Sequence, residues 1–378
     1  MEYKLADIFE KPMSGEWGKE LEEGEKGTKV IRTTNFTSLG KLDLNNMVER
    51  NIDLKKHKNK VLKNGDIIIE KSGGSPTQPV GRTVIFELDS DEEYVCNNFT
   101  AVLRPKVMLH PKYSLYLLKD LYNKRKILRF QNKTTGIINL KLNDYLLNTK
   151  VTLPQVEIQQ KIATILDKAE LLVDKKNSQI EALDELVKST FNEMFGNPIT
   201  NGKRWKTELL GNVCEMKAGK NIKASDICEE NLAGLYPCYG GNGLRGYVKE
   251  YSHEGNIPLI GRQGALCGNV KYARGKFYAT EHAVATNPKM EMNTYWLYFM
   301  LSELDLNRLS TGAAQPGLTI GKLNEVEFPM VPMELQNRFE KFANEIDKLK
   351  FEMEKSLKEL EDNFNSLMQK AFRGELFN

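Results

Sequence analysis

One stretch of this chain is written twice. Glu157-Ile158-Gln159 recurs as Glu334-Leu335-Gln336, 177 positions later, and the offset holds without a gap to Phe195 and Phe372. Each copy follows an extended stretch ending in proline, Val151-Thr152-Leu153-Pro154 and Val326-Glu327-Phe328-Pro329. The apolar spacing alternates four and three, the signature of a helix with one buried seam. In the second copy the seam runs Leu335, Phe339, Phe342, Ile346, Leu349, Met353, Leu357, Leu360, Phe364, Leu367, Ala371. In the first it runs Ile158, Ile162, Ile165, Ala169, Leu172, Lys176, Ile180, Leu183, Val187, Thr190, Met194, with the one doubled four at the same place and only Lys176 and Thr190 departing from apolar character. Such a helix is about 55 Å long at 1.5 Å per residue. It cannot bury its seam on itself, and the simplest partner is the other copy. Gly196-Asn197-Pro198 and Gly374 supply the stops.

The segments between the helices repeat more weakly. Gly65-Asp66-Ile67-Ile68-Ile69 parallels Gly255-Asn256-Ile257-Pro258-Leu259-Ile260, and Gly73-Gly74 and Gly81-Arg82 parallel Gly264 and Gly268. Tyr94 to Pro105 aligns with Phe277 to Pro288, and Arg32-Thr33-Thr34-Asn35-Phe36 sits roughly where Cys238-Tyr239-Gly240-Gly241-Asn242-Gly243 does. Short strands and glycine turns lead each time into a helical stretch, expected over 112–129 and 293–308. The expected organisation is therefore α+β. A globule occupies 1–153, a long helix 154–197, a second globule 198–329 and a second long helix 330–378. The helices would pair antiparallel as a coiled coil relating the globules by a pseudo-two-fold.

Charge follows the same blocks. Counted from the sequence, 1–153 carries a net +6, 154–200 a net −3, 201–329 a net +2 and 330–378 a net −2. A polyanion would be drawn to the globules. With 28% charged residues and 40% apolar ones the chain is neither disordered nor collagen-like. No apolar run approaches the ~20 residues of a membrane span, and the N-terminus has no signal-peptide core. Five cysteines without a C-x-x-C pair suit a reduced, cytoplasmic setting rather than a disulfide framework or a zinc site.

The residues that open the two helices, Pro154 to Gln159 and Pro329 to Gln336, carry a family likeness. So do Ile31-Arg32-Thr33-Thr34-Asn35, Tyr239-Gly240-Gly241-Asn242-Gly243 and Ile260-Gly261-Arg262-Gln263-Gly264-Ala265. In this order, over nearly the whole chain, they resemble the specificity subunit of type I restriction–modification systems. The resemblance implies two target recognition domains, each reading one half of a split duplex DNA site. It implies an antiparallel coiled coil that spaces them and docks two methyltransferase subunits, with two restriction–translocase subunits optional. S-adenosylmethionine, ATP and Mg²⁺ would belong to those partners, and this chain would hold no cofactor of its own. The first globule lacks the Gly-Gly-Asn-Gly of the second, so the half-sites should differ.

The chain shows no catalytic motif. Every Gly-Lys lacks the following Ser or Thr of a phosphate loop. Asn197-Pro198-Ile199-Thr200 lacks the aromatic that an amino-methyltransferase stacks on a flipped base. Asp66, Glu70 and Lys71 faintly suggest a metal-dependent nuclease, but Glu70 and Lys71 are adjacent and so point to opposite faces of a strand. His57, His110, His253 and His282 have no ligand spacing.

Base readout calls for Arg, Asn and Gln, and phosphate contact for Lys, Arg, Ser and Thr, on short elements or loops. In the first globule the candidates are Arg32, Thr33, Thr34, Asn35, Lys71, Ser72, Ser75, Thr77, Gln78, Arg82, Gln131, Lys133, Thr134 and Thr135. In the second they are Tyr239, Asn242, Arg245, Arg262, Gln263, Thr311 and Gln315. The expected activity is non-catalytic recognition of an asymmetric bipartite DNA site that directs adenine methylation and cleavage by partners. A coiled-coil scaffold for protein partners is the alternative.

Overall fold

A computed structural model describes residues 2–377 apart from 38–39, 76, 89, 91, 135, 265 and 312–315; of Lys133 and Thr134 it describes the backbone alone. The chain divides into two units, 1–176 with 356–378, and 177–355. Each long helix is shared between them.

In the first unit the chain runs β1 (Glu2–Lys4), α1 (Leu5–Ile8), β2 (Met13–Ser14), β3 (Thr28–Ile31), β4 (Val48–Arg50), β5 (Ile67–Glu70), β6 (Ser72–Gly73) and β7 (Thr83–Ile85). It continues through β8 (Tyr94–Cys96), β9 (Thr100–Leu103), α2 (Pro111–Asn123), β10 (Gln131–Thr134), β11 (Ile137–Leu140), α3 (Leu142–Asn148) and β12 (Lys150–Thr152) into α4 (Val156–Phe195). The second unit follows with β13 (Thr207–Leu209), α5 (Leu210–Val213), β14 (Cys214–Ala218), β15 (Tyr236–Gly240), β16 (Gly243–Val248), β17 (His253–Glu254) and β18 (Ile257–Gly261). Then come β19 (Val270–Ala273), β20 (Lys276–Ala279), β21 (Ala283–Pro288), α6 (Thr294–Glu303), α7 (Ile320–Asn324), β22 (Glu327–Pro329) and α8 (Met333–Arg373).

The units share most of their topology; among the described residues the first adds a sheet β10-β11-β6 and the second extends its smaller sheet with β17. One sheet is ordered β2-β9-β5-β7 in the first and β14-β21-β18-β19 in the second. The other centres on β3, antiparallel to β4 and parallel to β8, or on β15, antiparallel to β16 and parallel to β20. The pair β1-β12 matches β13-β22. The period of two in each central strand builds three layers. Ile67 and Ile69 of β5 join the helical layer with Leu103 and Tyr116, while Ile68 faces the second sheet with Val84, Val102 and Cys96. In the other unit Ile260 and Val284 face Trp296 and Leu301, and Leu259, Ala283 and Ala285 face Phe277 and Ala279.

The long helices enter both cores. In unit 1, Ile162, Ala163 and Leu166 of α4 and Met368 and Ala371 of α8 share a cluster with Tyr113 and Tyr116 of α2. In unit 2, Phe191 and Phe195 of α4 pack edge-to-face on Phe339 of α8 with ring centroids 5.3 and 5.6 Å apart. Lys350 Nζ bonds the Asp184 carboxylate at 2.7 Å. The start of α4 thus shares a core with the end of α8, and its end with the start of α8, so the two helices run antiparallel.

The buried stripe is not the expected single seam. Leu172 is 52% exposed and Leu349 44%, although both are seam positions. Ile158, Ile165, Ile180, Leu183, Leu335, Phe342, Ile346 and Leu360 are half-buried, whereas Ile162 and Phe339 are fully buried. Leu166, Val173, Phe191, Phe195, Ala343 and Met368, outside the seam, are also buried. The reason is that each half-helix lies on α2 or α6 as well as on the other helix, so its apolar arc widens toward the globule. The globule helices are shorter than expected: α2 stops at Asn123, before Arg125 with its positive φ of 54°, and α6 stops at Glu303, before Asp305 at 45°.

The repeated Glu-x-Gln has a structural role that the sequence did not reveal. Gln159 is buried; its Oε1 accepts from His110 N at 2.9 Å, and its Nε2 donates to the carbonyls of Met108 (3.1 Å) and Pro154 (3.0 Å). Gln336 does the same in unit 2, accepting from Asn293 N at 2.8 Å and donating to Val331 O at 2.7 Å. His110 and Asn293 are the N-caps of α2 and α6. Each glutamine therefore ties the long helix to the start of the globule helix it lies on.

Candidate nucleic-acid interface

A ladder of backbone hydrogen bonds gathers the candidate loops, and it has the same pattern in both units. In unit 1, Asn97 N donates to Ile31 O (2.9 Å), Lys71 N to Phe99 O (2.9 Å) and Leu140 N to Lys71 O (2.8 Å). In unit 2, Thr280 N donates to Tyr239 O (2.9 Å), Arg262 N to His282 O (3.0 Å) and Leu318 N to Arg262 O (2.9 Å). The loop after the β3 or β15 strand, the one after β5 or β18, the turn into β9 or β21 and the segment before α3 or α7 are thereby brought to one place in each unit. Lys71 and Arg262 occupy equivalent positions.

In unit 1 several predicted residues serve the scaffold. Asn35 is buried; its Nδ2 donates to Asp43 O at 3.0 Å and its Oδ1 accepts from Arg32 N at 2.9 Å. Arg32 reaches Asn46 O at 3.2 Å; Thr33 is half-buried and Thr34 exposed on a single 3₁₀ turn. Arg82 is locked on Glu70, with Nε–Oε2 2.9 Å and Nη2–Oε1 3.1 Å, and the carboxylate holds its guanidinium above the usual arginine range. Asp66 is gripped the same way by Arg104, with both bonds at 2.7 Å. The two carboxylates that suggested nuclease chemistry are thus each engaged by an arginine, the geometry expected of a buried carboxylate.

Lys71 extends its ammonium to Ser14 Oγ, and burial lowers its pKa. Ser72 Oγ donates to Asn139 Oδ1 at 2.7 Å. Ser75, Thr77 and Gln78 form one tight turn, with Gln78 N on Ser75 Oγ at 3.0 Å; Thr77 and Gln78 are exposed. Gln131 turns inward and donates to Val80 O at 2.9 Å. Lys133 and Thr134 lie on β10, and Thr135 lies outside the described residues.

In unit 2, Tyr239 packs edge-on against Phe277 at 5.8 Å, and burial raises its phenol pKa. Asn242 is exposed and accepts from Asn269 Nδ2 at 3.1 Å. Arg245 is exposed and its stem covers Gly240. Arg262 is half-buried, with its Nε buried and unpartnered among the described residues. Gln263 and Thr311 are exposed and both bridge to Gly317; Gln315 lies outside the described residues. The loops approach so closely that a Cβ on Gly261 would sit 1.9 Å from Gly241 O, which excludes any larger residue there.

Three outward positions of this surface were missed in the sequence. Asn132 is exposed, Phe99 is exposed on the β8–β9 turn, and Ile137 is exposed near the end of the β10–β11 ribbon. The signal was the alternation of a short strand, whose phase a four-residue segment does not define on its own.

A family description, type I restriction modification DNA specificity domain, matches residues 1–183 and 202–362. The chain belongs to the type I restriction modification DNA specificity family. The Escherichia coli type I restriction enzyme EcoprrI specificity subunit is 41% identical over 186 residues, 47% of this chain and 46% of that protein. A Haemophilus influenzae specificity subunit is 28% identical over 42% of this chain and 41% of its own length. The chain thus spans about half the length of these relatives in the matched region. The Methanocaldococcus jannaschii MjaVIII specificity subunit is 24% identical over 69% of this chain and 70% of that protein. Among solved structures, the type I restriction–modification S subunit from M. genitalium matches with a TM-score of 0.61 at 20% identity, covering 98% of this chain and 96% of that one. A chain from a study of complex assembly and conformational transition of the type I system matches at 0.57 and 18% identity, covering 100% and 98%. The duplicated α+β unit with paired long helices is therefore the fold of this family. No described helix is long and apolar enough to cross a membrane.

Proposed function

We propose that this chain is the non-catalytic subunit that selects the DNA site of a type I restriction–modification complex. Each unit reads one half of a bipartite duplex sequence, and partner subunits carry out adenine methylation and cleavage with S-adenosylmethionine, ATP and Mg²⁺. Two methyltransferase subunits, and where present two restriction subunits, dock on the assembly. The observation that supports this most is the duplicated ladder carrying different side chains. Lys71, Ser72 and Asn132 in unit 1 stand where Arg262, Gln263 and Thr311 stand in unit 2. A shared frame with exchanged polar side chains suits two related readers of unlike half-sites.

The test is DNA binding by the chain assembled with its methyltransferase subunit. Affinity for duplex falls steeply as salt rises when phosphates are neutralised. A protein-binding scaffold predicts no affinity for DNA at any salt concentration.

A further inference from the structure

Next to the duplicated ladder the two units share a ribbon root in the same register. In unit 1, Asn139 of β11 lies between Ser72 of β6 and Asn132 of β10. In unit 2, Gly317 lies between Gln263 and Thr311, exchanging bonds with Thr311 at 2.9 and 3.0 Å. Asn132 and Thr311 are therefore the same position. Directly opposed residues of an antiparallel pair share a face, and faces alternate along a strand. Ile138 and Leu140 are buried in the core and Gln131 bonds Val80 O, which defines the inner face. Asn132, Asn139 and Ile137 take the outer face. Asn132 and Thr311 are exposed, Ile137 is 46% exposed, and the Ser72 hydroxyl holds Asn139. The turn beyond carries Gly136 at φ +83°, with no atom of the described residues within 4 Å of where a Cβ would be.

On the reading that each unit recognises duplex DNA, we propose that this ribbon position reads a base, Asn132 in one half-site and Thr311 in the other. Strands about 5 Å apart make a ribbon that fits a major groove about 12 Å wide. An asparagine amide offers a donor and an acceptor together and matches adenine N6 and N7; an adjacent isoleucine suits the methyl of a thymine. A threonine at the equivalent place offers one hydroxyl and one methyl, so unit 2 reads a different base pattern.

The experiment maps methylated adenines in cells that express the full chain with its methyltransferase subunits. Asn132→Ala should relax discrimination at one base pair of one half-site by about tenfold or more, leaving the other half unchanged. Thr311→Ala should relax the other half alone. Gln131→Ala, on the inner face, should leave the motif as it is. Unchanged motifs in both variants overturn the assignment, as does relaxation of the same half by both. Asn132→Ser guards against a folding defect: loss of all methylation in both Asn132 variants at parental protein level also overturns it. If deleting the parent chain removes no methylated motif, the DNA-recognition reading itself fails, and that result appears before any variant is made.

Discussion

Replacing Gln159 by methionine keeps the side-chain length and removes the amide. Three backbone groups then lose their partner: His110 N–H and the carbonyls of Met108 and Pro154. Gln159 is 1% exposed, so water does not replace the amide without opening the helix junction. A buried donor left unpaired costs about 1–3 kcal/mol, and carbonyls, with two lone pairs, lose less. The sum expected for Gln159→Met is about 2–4 kcal/mol. Gln336→Met frees Asn293 N–H and Val331 O and should cost about 1–3 kcal/mol on the same reasoning. Hydrogen exchange at the start of α2 reads this locally. A loss of about 3 kcal/mol raises the opening constant at His110 by roughly 150-fold, since every 1.4 kcal/mol is tenfold. Glu157→Ala, two residues away and exposed, is the control and should stay near the parent. Exchange at His110 changing less than threefold in Gln159→Met would refute the junction role of the amide.

Other outcomes follow from the same geometry. Arg82→Ala strands the Glu70 carboxylate, 3% exposed, and should lower stability by about 3 kcal/mol in urea unfolding. An unfolding midpoint equal to the parent's would contradict the pair. Cys96, Cys214, Cys238 and Cys267 are buried and Cys228 is half-exposed, and burial pushes the Cys96 thiol up to about 11 and the Cys214 thiol up to about 12. Maleimide should therefore modify Cys228 first in the native protein, and faster modification of Cys96 would contradict the core. Arg262→Ala should weaken recognition of one half-site and Lys71→Ala the other, read as methylation at sites altered in either half; equal loss of both halves in each variant would point to misfolding.

What could be read from the sequence was what repeats over long spans. Nine of eleven seam positions that are apolar in both copies at a fixed offset are more than chance supplies, so the helix pair and the duplicated globules are legible. Short-range detail was not. Leu172 and Leu349 fit the heptad pattern yet are exposed, because helix phase alone does not say where the globule cover ends. Gln131 and Asn132 are both polar, and only strand pairing separates the inner from the outer face. Asn35 and Arg82 have the chemistry of base readers, but a turn and a buried glutamate hold them. The Glu-x-Gln repeat was visible; that its glutamine secures a helix N-cap depends on a contact 49 residues away in sequence.

The central claim is that two copies of one reading frame, carried on an antiparallel helix pair, select a split DNA site. Genome-wide mapping of methylated adenine in cells with and without this gene tests it most directly. The account predicts that deletion removes one motif made of two unlike parts separated by a gap of constant length and no sequence preference. Loss of a single uninterrupted palindrome, or no change in methylation, would contradict it.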